Sequence, residues 1–574
     1  MRSGNACATS RTIEPAVSKI SPTGKSVAAA FLFALACELA APAPWHSVWM
    51  VLLSVASVAM LVLLTHALLR SWALLLWVPF LLIIGISAYI KHYYNLELDP
   101  YLVSQIIGAS PQDFAQFATV GNACGVVLIL LLCAGVMLAL FRMLRQMKRK
   151  RELIISSAGL ALCTGVGYLL PEPCLSHSVE EGLGSIGVVY RIPYAYELAA
   201  ARNTALLQKV AALPSPADAP SAISTLKGDE GVVCILHIGE SVRADRLSLN
   251  GYARDTTPWL RQHAGELINF TDCTAISTLT TNSILTILTD AAGNMERAIS
   301  PQLDARCGNV MDLFAAHGFG CHAFFTSRSM DKNATWGSTF ERLQQLITAK
   351  AQGTYEYGNA EENNYLPKLQ LPVVARVLQE TQGNRFLLIN NVGSHSPFFA
   401  YDREHPAFSP SSPDALHNAP HTNPQAAEMV TNAYDNTLVY TDEYIRDLLE
   451  PLKGKPYLYI YVSDHGEPVG DNNEWTRGNP NFHRTQWCRV PLIVIASPEF
   501  EALHPHFAEA LAQLRRHTAL PCAHENIFHS LLGIFSISSP YYNAEHDLSA
   551  PSCKPYTGPH PSRNGESADG LKWE

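Results

Sequence analysis

Long basic runs are absent from this chain of 574 residues, the one short exception lying between Arg142 and Arg151, and the formal net charge is −9. That balance argues against nucleic acid as a partner. Thiolate metal modules are excluded as well, because none of the 13 cysteines stands in a CxxC pair or a Cys/His zinc-ribbon spacing. No internal repeat is found, which removes solenoids and propellers. Charge itself is thin, 16% of residues against a hydrophobic 48%, and the mean hydropathy is positive at +0.06. The apolar excess lies in the first third, so the chain reads as a membrane part joined to a soluble part.

Five apolar segments carry that excess: Val27–Ala41, Val48–Leu69, Trp72–Ile90, Ala123–Phe141 and Leu153–Leu170. A membrane span needs about 20 apolar residues. The second, third and fourth segments meet this; the first is short and contains Glu38, and the fifth is rich in Gly, Ser and Thr. The first also has the basic lead of a signal peptide, but the later segments, and no strong cleavage pattern before Trp45, favour an anchor. Arg2, Arg11, Lys19 and Lys25 precede it, and Arg142, Arg145 and Lys148–Arg151 lie between the fourth and fifth. Basic loops stay in the cytoplasm, so five spans put everything after about residue 171, and the loop Lys91–Gly121, on the outer side. Eight cysteines fall in that outer part, where disulfides are permitted, and Cys307 with Cys321 is a plausible pair.

Ser185–Leu213 has an amphipathic helical pattern, suited either to a membrane surface or to packing on the soluble domain. The linker-like run Pro214–Pro220 follows it. The expected domains are therefore a transmembrane part over 1–175, a juxtamembrane helix and linker over 176–225, a catalytic α/β domain over 226–548 and a flexible tail over 549–574. From Gly231 strand patterns at Val232–Ile238, Gly320–Phe325, Arg385–Val392, Tyr457–Ser463 and Val490–Ala496 alternate with helical ones. The helical patterns are Thr257–His263, Thr281–Asp290, Val310–Ala316, Pro372–Glu380 and Ala427–Leu449. Such alternation predicts an α/β sheet with helices on its faces.

The strand Tyr457–Ser463 ends on Asp464-His465-Gly466. A carboxylate and an imidazole at the carboxyl end of a strand suit a divalent metal, and ligands bind at that edge of an open α/β sheet. The first strand ends likewise on Gly239-Glu240-Ser241, and the third on Gly393-Ser394-His395. Alone, Glu240 reads as a loop acid or helix cap and His395 as a structural histidine; together, three strand ends deliver Glu240, His395 and Asp464-His465 to one side. His483 follows in the loop Gly478–Arg484. A nucleophile is offered by Ser277-Thr278-Leu279-Thr280-Thr281 at the start of a helix, where the dipole and a cation would both favour an alkoxide. The pattern by itself does not choose among Thr278, Thr280 and Thr281.

These pieces resemble the phosphoethanolamine transferases of the Gram-negative inner membrane, in the alkaline phosphatase/sulfatase superfamily. The likeness rests on His237-Ile-Gly-Glu-Ser-Val-Arg-Ala-Asp-Arg246 with Gly251-Tyr252, on Asn391–Pro397, on Tyr434–Asp442 and on Ser463–Glu467. The resemblance implies a five-helix membrane domain followed by a sulfatase-like α/β/α domain. It further implies Thr280 as nucleophile, and Glu240, Thr280, Asp464 and His465 as metal ligands. His395 and His483 match the histidines that handle the phosphoryl group or a second metal. Zn2+ suits a one-histidine, oxygen-rich tetrahedral site, with Mn2+ as the alternative. Two departures stand out: Thr286 occupies the downstream flanking-cysteine position of the members that modify lipid A, and Asn390 replaces a histidine. Both lean toward a core-heptose or other glycan acceptor.

The expected reaction moves phosphoethanolamine from phosphatidylethanolamine to lipopolysaccharide or another envelope glycan through a phospho-threonine intermediate, in a multi-pass inner-membrane protein with a periplasmic catalytic domain. The alternatives are a phosphoglycerol transferase using phosphatidylglycerol, or a non-catalytic sensor on the same fold. A formylglycine-type sulfatase is disfavoured, since no C/S-x-P-x-R motif lies near Thr280.

Overall fold

The computed structural model describes residues 22–40, 48–94, 120–145, 147–169, 208, 231–278, 280–290, 309–326, 348, 351–357, 366–475 and 485–557. They fall into two compact units, described separately.

The first unit is helical: α1 Pro22–Ala40, α2 Val48–Leu69, α3 Leu74–Tyr94, α4 Val120–Leu144 and α5 Arg149–Leu169. Each overlaps one expected apolar segment. α2 has the expected bounds, while α5 begins four residues early because its polar start, Arg149–Glu152, still joins the helix. Inside the unit the buried Glu152 carboxylate accepts from Arg70 at 3.0 Å and lies 3.0 Å from His66 Nδ1, tying α5 to the end of α2. Trp77 Nε1 donates to Thr65 Oγ1 at 2.7 Å. Among the described residues no helix is long and apolar enough to cross a membrane.

The second unit is built on one eight-stranded sheet. In chain order its elements are β1 Val233–Gly239, α6 Pro258–Gln262, β2 Ile268–Thr274, α7 Thr280–Leu288, α8 Val310–Ala316, β3 Gly320–Thr326, β4 Gly353–Tyr357, α9 Leu371–Glu380, β5 Arg385–Asn390, α10 Pro424–Leu449, β6 Tyr457–Ser463, β7 Arg489–Ala496, α11 Pro505–Arg516, β8 Cys522–Ala523 and α12 Glu525–Ile534. The sheet order is β4-β3-β5-β1-β6-β7-β2-β8, with β7 antiparallel to both its neighbours and the other pairings parallel. β1, β5 and β6 are buried along almost their whole length, as strands covered on both faces must be. Along β1, Cys234, Leu236 and Ile238 face one hydrophobic cluster with α7, α8, α11 and α12, while Val233 and Ile235 face another with α9 and α10.

Register places the functional edge. β1 lies between β5 and β6, with Ile238 opposite Asn390 and Gly239 opposite Ser463. The residues that follow these three strands therefore emerge side by side at their carboxyl ends.

The strand expected over Arg385–Val392 ends at Asn390, because Asn391 turns out of the ladder to meet His237. β2, β4 and β8, and the helices α11 and α12, are absent from the sequence-based expectation. β2 carries Asn269, Thr271 and Asp272 and a register shift between Phe270 and Cys273, so its alternation is broken. Cys321 is a free buried thiol donating to the Met311 carbonyl at 3.4 Å; Cys307 lies outside the described residues. The chain stays bound to the domain beyond Ser549, since Lys554 N–H donates to the Glu545 carbonyl and Tyr556 N–H to the Pro521 carbonyl. Apart from Gln208, the amphipathic stretch Ser185–Leu213 lies outside the described residues.

Candidate active site

The turn after β1 sets Glu240, the first of the candidate ligands. Ser241 adopts φ +62°, a left-handed conformation costly for a residue with a Cβ. It is held there on every side. Its N–H donates to Asp464 Oδ1 at 2.9 Å, its hydroxyl to Glu240 Oε1 at 3.0 Å and to Glu467 Oε2 at 3.4 Å, and its carbonyl accepts from the Tyr434 hydroxyl at 2.9 Å. One strained residue thus fixes the carboxylates of Glu240 and Asp464 relative to each other. Asp464 N–H also donates to the Gly239 carbonyl, extending the β1–β6 pairing by one bond.

The loop after β5 closes over Glu240. Ser394 N–H donates to the Glu240 carbonyl at 2.9 Å, and Thr437 of α10 donates to the Ser394 hydroxyl at 2.7 Å. Gly393, at φ +44°, packs directly on the Glu240 backbone, where a Cβ would fall 3.0 Å from its carbonyl oxygen. Upstream, Asn391 Nδ2 donates to His237 Nε2 at 2.8 Å while His237 Nδ1 meets the Tyr459 hydroxyl at 2.7 Å. Burial holds the His237 pKa down near 3, so the ring is neutral and can accept that bond.

Thr280 is the first residue of α7. Its hydroxyl lies 3.4 Å from both Glu240 carboxylate oxygens and 3.3 Å from His465 Nε2. His465 Nε2 is in turn 3.5 Å from Glu240 Oε1 and 3.1 Å from Asp464 Oδ2. The ring's other nitrogen donates to the Gly466 carbonyl at 3.0 Å, which leaves the Nε2 lone pair directed at the oxygens. Glu240, Asp464 and His465 are all buried, and their ligand atoms lie within 4.8 Å of one another.

The spacing tests whether a metal fits. Four ligands at about 2.0–2.1 Å from a tetrahedral ion stand about 3.3–3.4 Å apart. The separations of 3.1–3.5 Å match those edges. They are long for hydrogen bonds to carboxylates, which shorten to about 2.7–2.9 Å when charge-assisted. Burying two carboxylates without a cation is costly, so the donor set fits a divalent ion. Tyr461 lies beneath them; burial, then Tyr434, Asp464 and Glu240, drive its phenol far above the ordinary value and keep it neutral.

Glu240, Thr280 and the Asp464-His465 pair therefore come together from three separate stretches of chain. His395 stands on the loop that packs on Glu240 but outside the ligand cluster, its Nδ1 donating to the Ser396 carbonyl at 2.6 Å. His483 lies outside the described residues. Thr286 is buried in α7, and Asn390 donates to the Ile238 carbonyl at 3.1 Å. Ser241, Glu467, His237 and His524 were not singled out from sequence. Ser241 and Glu467 stand inside quoted motifs, but nothing in a linear motif says that one bonds three acids or that the other points inward.

A parallel-rich sheet that presents a helix-terminal hydroxyl to two carboxylates and an imidazole at its carboxyl edge is the architecture of an α/β enzyme. The chain belongs to the sulfatase family, whose model matches residues 233–537. It is 25% identical over 333 residues to the phosphoethanolamine transferase EptA of Salmonella typhimurium, an alignment covering 57% of this chain and 57% of that protein. The chain thus spans little more than half the length of the curated relatives it matches. Its fold is similar to that of the integral membrane lipooligosaccharide phosphoethanolamine transferase A of Neisseria meningitidis, with a TM-score of 0.65, 18% identity and 91% and 96% of the two chains covered. The C-terminal periplasmic domain of EptC from Escherichia coli, solved in complex with Zn, shares the fold at a TM-score of 0.51 and 21% identity, over 62% of this chain and 95% of that one.

Proposed function

We propose that this protein is a metal-dependent transferase that takes phosphoethanolamine from phosphatidylethanolamine and passes it, through a phospho-threonine intermediate, to lipopolysaccharide (lipid A or core heptose) or another envelope glycan. The observation that carries this reading is the placement of Thr280 Oγ1 at 3.4 Å from the Glu240 carboxylate and 3.3 Å from His465 Nε2, which itself lies 3.1 Å from Asp464. The relatives named as phosphoethanolamine transferases support the transferred group, and the lipooligosaccharide enzyme supports the acceptor class. Zn2+ is the favoured ion, with Mn2+ as the alternative.

When bound, the ion supplies positive charge that lowers the pKa of a coordinated hydroxyl and screens an approaching phosphodiester. Glu240, Asp464 and His465 would hold it, fixed by Ser241 and the Gly466 carbonyl. Thr280 Oγ1 attacks phosphorus as its proton passes to water; the P–Oγ bond forms and the P–O bond to glycerol breaks. The leaving glycerol oxygen takes a proton, from His395 or His483, and departs as diacylglycerol. The same histidine then accepts a proton from an acceptor hydroxyl, whose oxygen attacks phosphorus; the P–Oγ bond breaks and Thr280 regains its proton from water. If the acceptor is a phosphate, its anionic oxygen attacks directly. The helix N-terminus at Thr280 favours the negative charge that develops there.

The N-terminal unit is proposed as the membrane anchor, with the catalytic domain in the periplasm. The support is in sequence: α2 carries a single ionisable residue, His66, among otherwise uncharged residues. Large apolar side chains such as Leu32, Leu68, Leu131 and Leu162 are exposed on these helices, as lipid-facing residues are.

The test uses the full chain in detergent with phosphatidylethanolamine labelled in its glycerol moiety. Zinc-dependent release of diacylglycerol, with phosphoethanolamine retained on the protein and lost in Thr280→Ala, is expected. Turnover of phosphatidylglycerol instead would make it a phosphoglycerol transferase; turnover of neither lipid would sink the transferase reading.

A further inference from the structure

We propose that His524 is a positioning residue: its ring ties the segment that leads to Thr280 to the strand end that carries Asp464, and so sets the distance from the nucleophile to the metal ligands. The proposal rests on Thr280 being the nucleophile.

His524 follows the two-residue strand β8, which lies at the edge of the sheet in register with β2, Cys273 facing Cys522 and Thr274 facing Ala523. The pairing continues one step, as His524 N–H donates to the Thr274 carbonyl at 3.2 Å. The side chain is wholly buried. Ile276 N–H donates to its Nδ1 at 3.3 Å, and its Nε2 lies 2.9 Å from the Ser463 carbonyl. A backbone N–H can only donate and a carbonyl can only accept. The tautomer is therefore fixed with its proton on Nε2, and both nitrogens are engaged. Burial lowers the ring's pKa to about 4, in keeping with a neutral imidazole.

The two anchored residues are well chosen for control of the site. Ile276 lies four residues before Thr280, and Ser463 is the residue before Asp464. Ala275 N–H donates to the Cys488 carbonyl on one side of Ile276, and the Ser283 hydroxyl donates to the Ser277 carbonyl on the other. The segment from β2 to α7 is thus held at three successive residues, and His524 provides the one of these three contacts that reaches β6. It touches none of the ligand atoms, so it acts through the backbone of others. Loss of the link lets the Thr280 hydroxyl drift from the 3.3 Å spacing to His465 while the ligands from β1 and β6 stay in place.

The test compares His524→Leu, His524→Gln and His524→Asn in the full-length protein. Turnover is followed with bis-p-nitrophenyl phosphate, an activated phosphodiester that reports on Thr280 whatever the natural lipid is. Bound zinc and the melting temperature are measured alongside. His524→Leu is expected to lower kcat by about 10²-fold, the usual consequence of a small misplacement of a reacting group, with KM within about twofold and zinc retained. His524→Gln, which keeps a donor and an acceptor at the end of the side chain, is expected to recover most of that loss. Asn, whose amide reaches Ile276 but not Ser463, is expected to fall between them. Should the Leu variant fail to fold, the Gln and Asn pair decides. A Leu variant with wild-type kcat, a loss confined to KM, a loss in step with zinc content, or Gln and Asn variants both at the wild-type rate would each overturn the proposal. If the wild type cleaves the activated diester but not phosphatidylethanolamine, the donor assignment fails and the role of His524 is still decided.

Discussion

Gly393→Ala is the sharpest perturbation of the site that replaces none of the candidate ligands. The added Cβ would lie 3.0 Å from the Glu240 carbonyl oxygen, 3.1 Å from its nitrogen and 3.3 Å from its Cβ. Ordinary contacts begin near 3.5 Å, so the shortfall is about half an ångström. The atoms it meets are mainly backbone and have no rotamer to change. Gly393 also sits at φ +44°, where alanine costs about 1–2 kcal/mol. Relief by moving the loop would lengthen the Ser394 N–H bond to Glu240, now 2.9 Å and worth about 1 kcal/mol. The combined cost is about 3 kcal/mol. Relief by moving Glu240 instead would shift a ligand, which commonly lowers metal affinity by about tenfold or more. Thermal melts of the metal-free protein and competition of zinc against a chromogenic chelator separate the two routes. A variant with the wild-type melting temperature and the wild-type zinc affinity would refute the assignment of Gly393 as the packing contact that fixes Glu240.

Three further outcomes follow from the same geometry. Chelation is expected to lower the melting temperature and added zinc to restore it, by about 3 kcal/mol at a hundredfold excess over Kd, and Asp464→Asn should abolish the zinc-dependent shift; a melt indifferent to zinc in the wild type would count against the metal site. Ser241→Gly, which tolerates φ +62° but lacks the hydroxyl bonded to Glu240 and Glu467, should weaken zinc binding by about tenfold while leaving the fold intact; isothermal titration with unchanged affinity would refute it. His524, lowered from 6.5 to about 4, binds its proton more readily in the unfolded chain, so its contribution to stability is complete above pH 6.5 and is lost as pH falls toward 4. The wild type should lose about 3 kcal/mol across that window from this residue and His524→Gln should not, as read by denaturant melts at stepped pH.

Much of this site was legible in the chain. Glu240 and the Asp464-His465 pair were found as polar residues ending fully apolar strands, because a strand buried on both faces is a continuous hydrophobic run and its end is abrupt. The start of the helix at Thr280 was legible to within one residue. β2 and β8 were not: one is interrupted by polar residues and a register shift, and the other is two residues long and exists only through its partner. Ser241 reads as an ordinary serine beside an acid until its left-handed backbone and three acidic neighbours are seen.

The sequence alone determined the chemistry available, since residue types and their place at strand ends are written locally: two carboxylates, an imidazole and a row of hydroxyls at a helix start. Only the tertiary structure decided which hydroxyl faces the candidate ligands, because that depends on parallel register across β1, β5 and β6 and on contacts between distant residues, such as the one spanning 248 positions from Ile276 to His524. Distances of 3.1–3.5 Å among four side chains are a property of packing, and no local pattern encodes them.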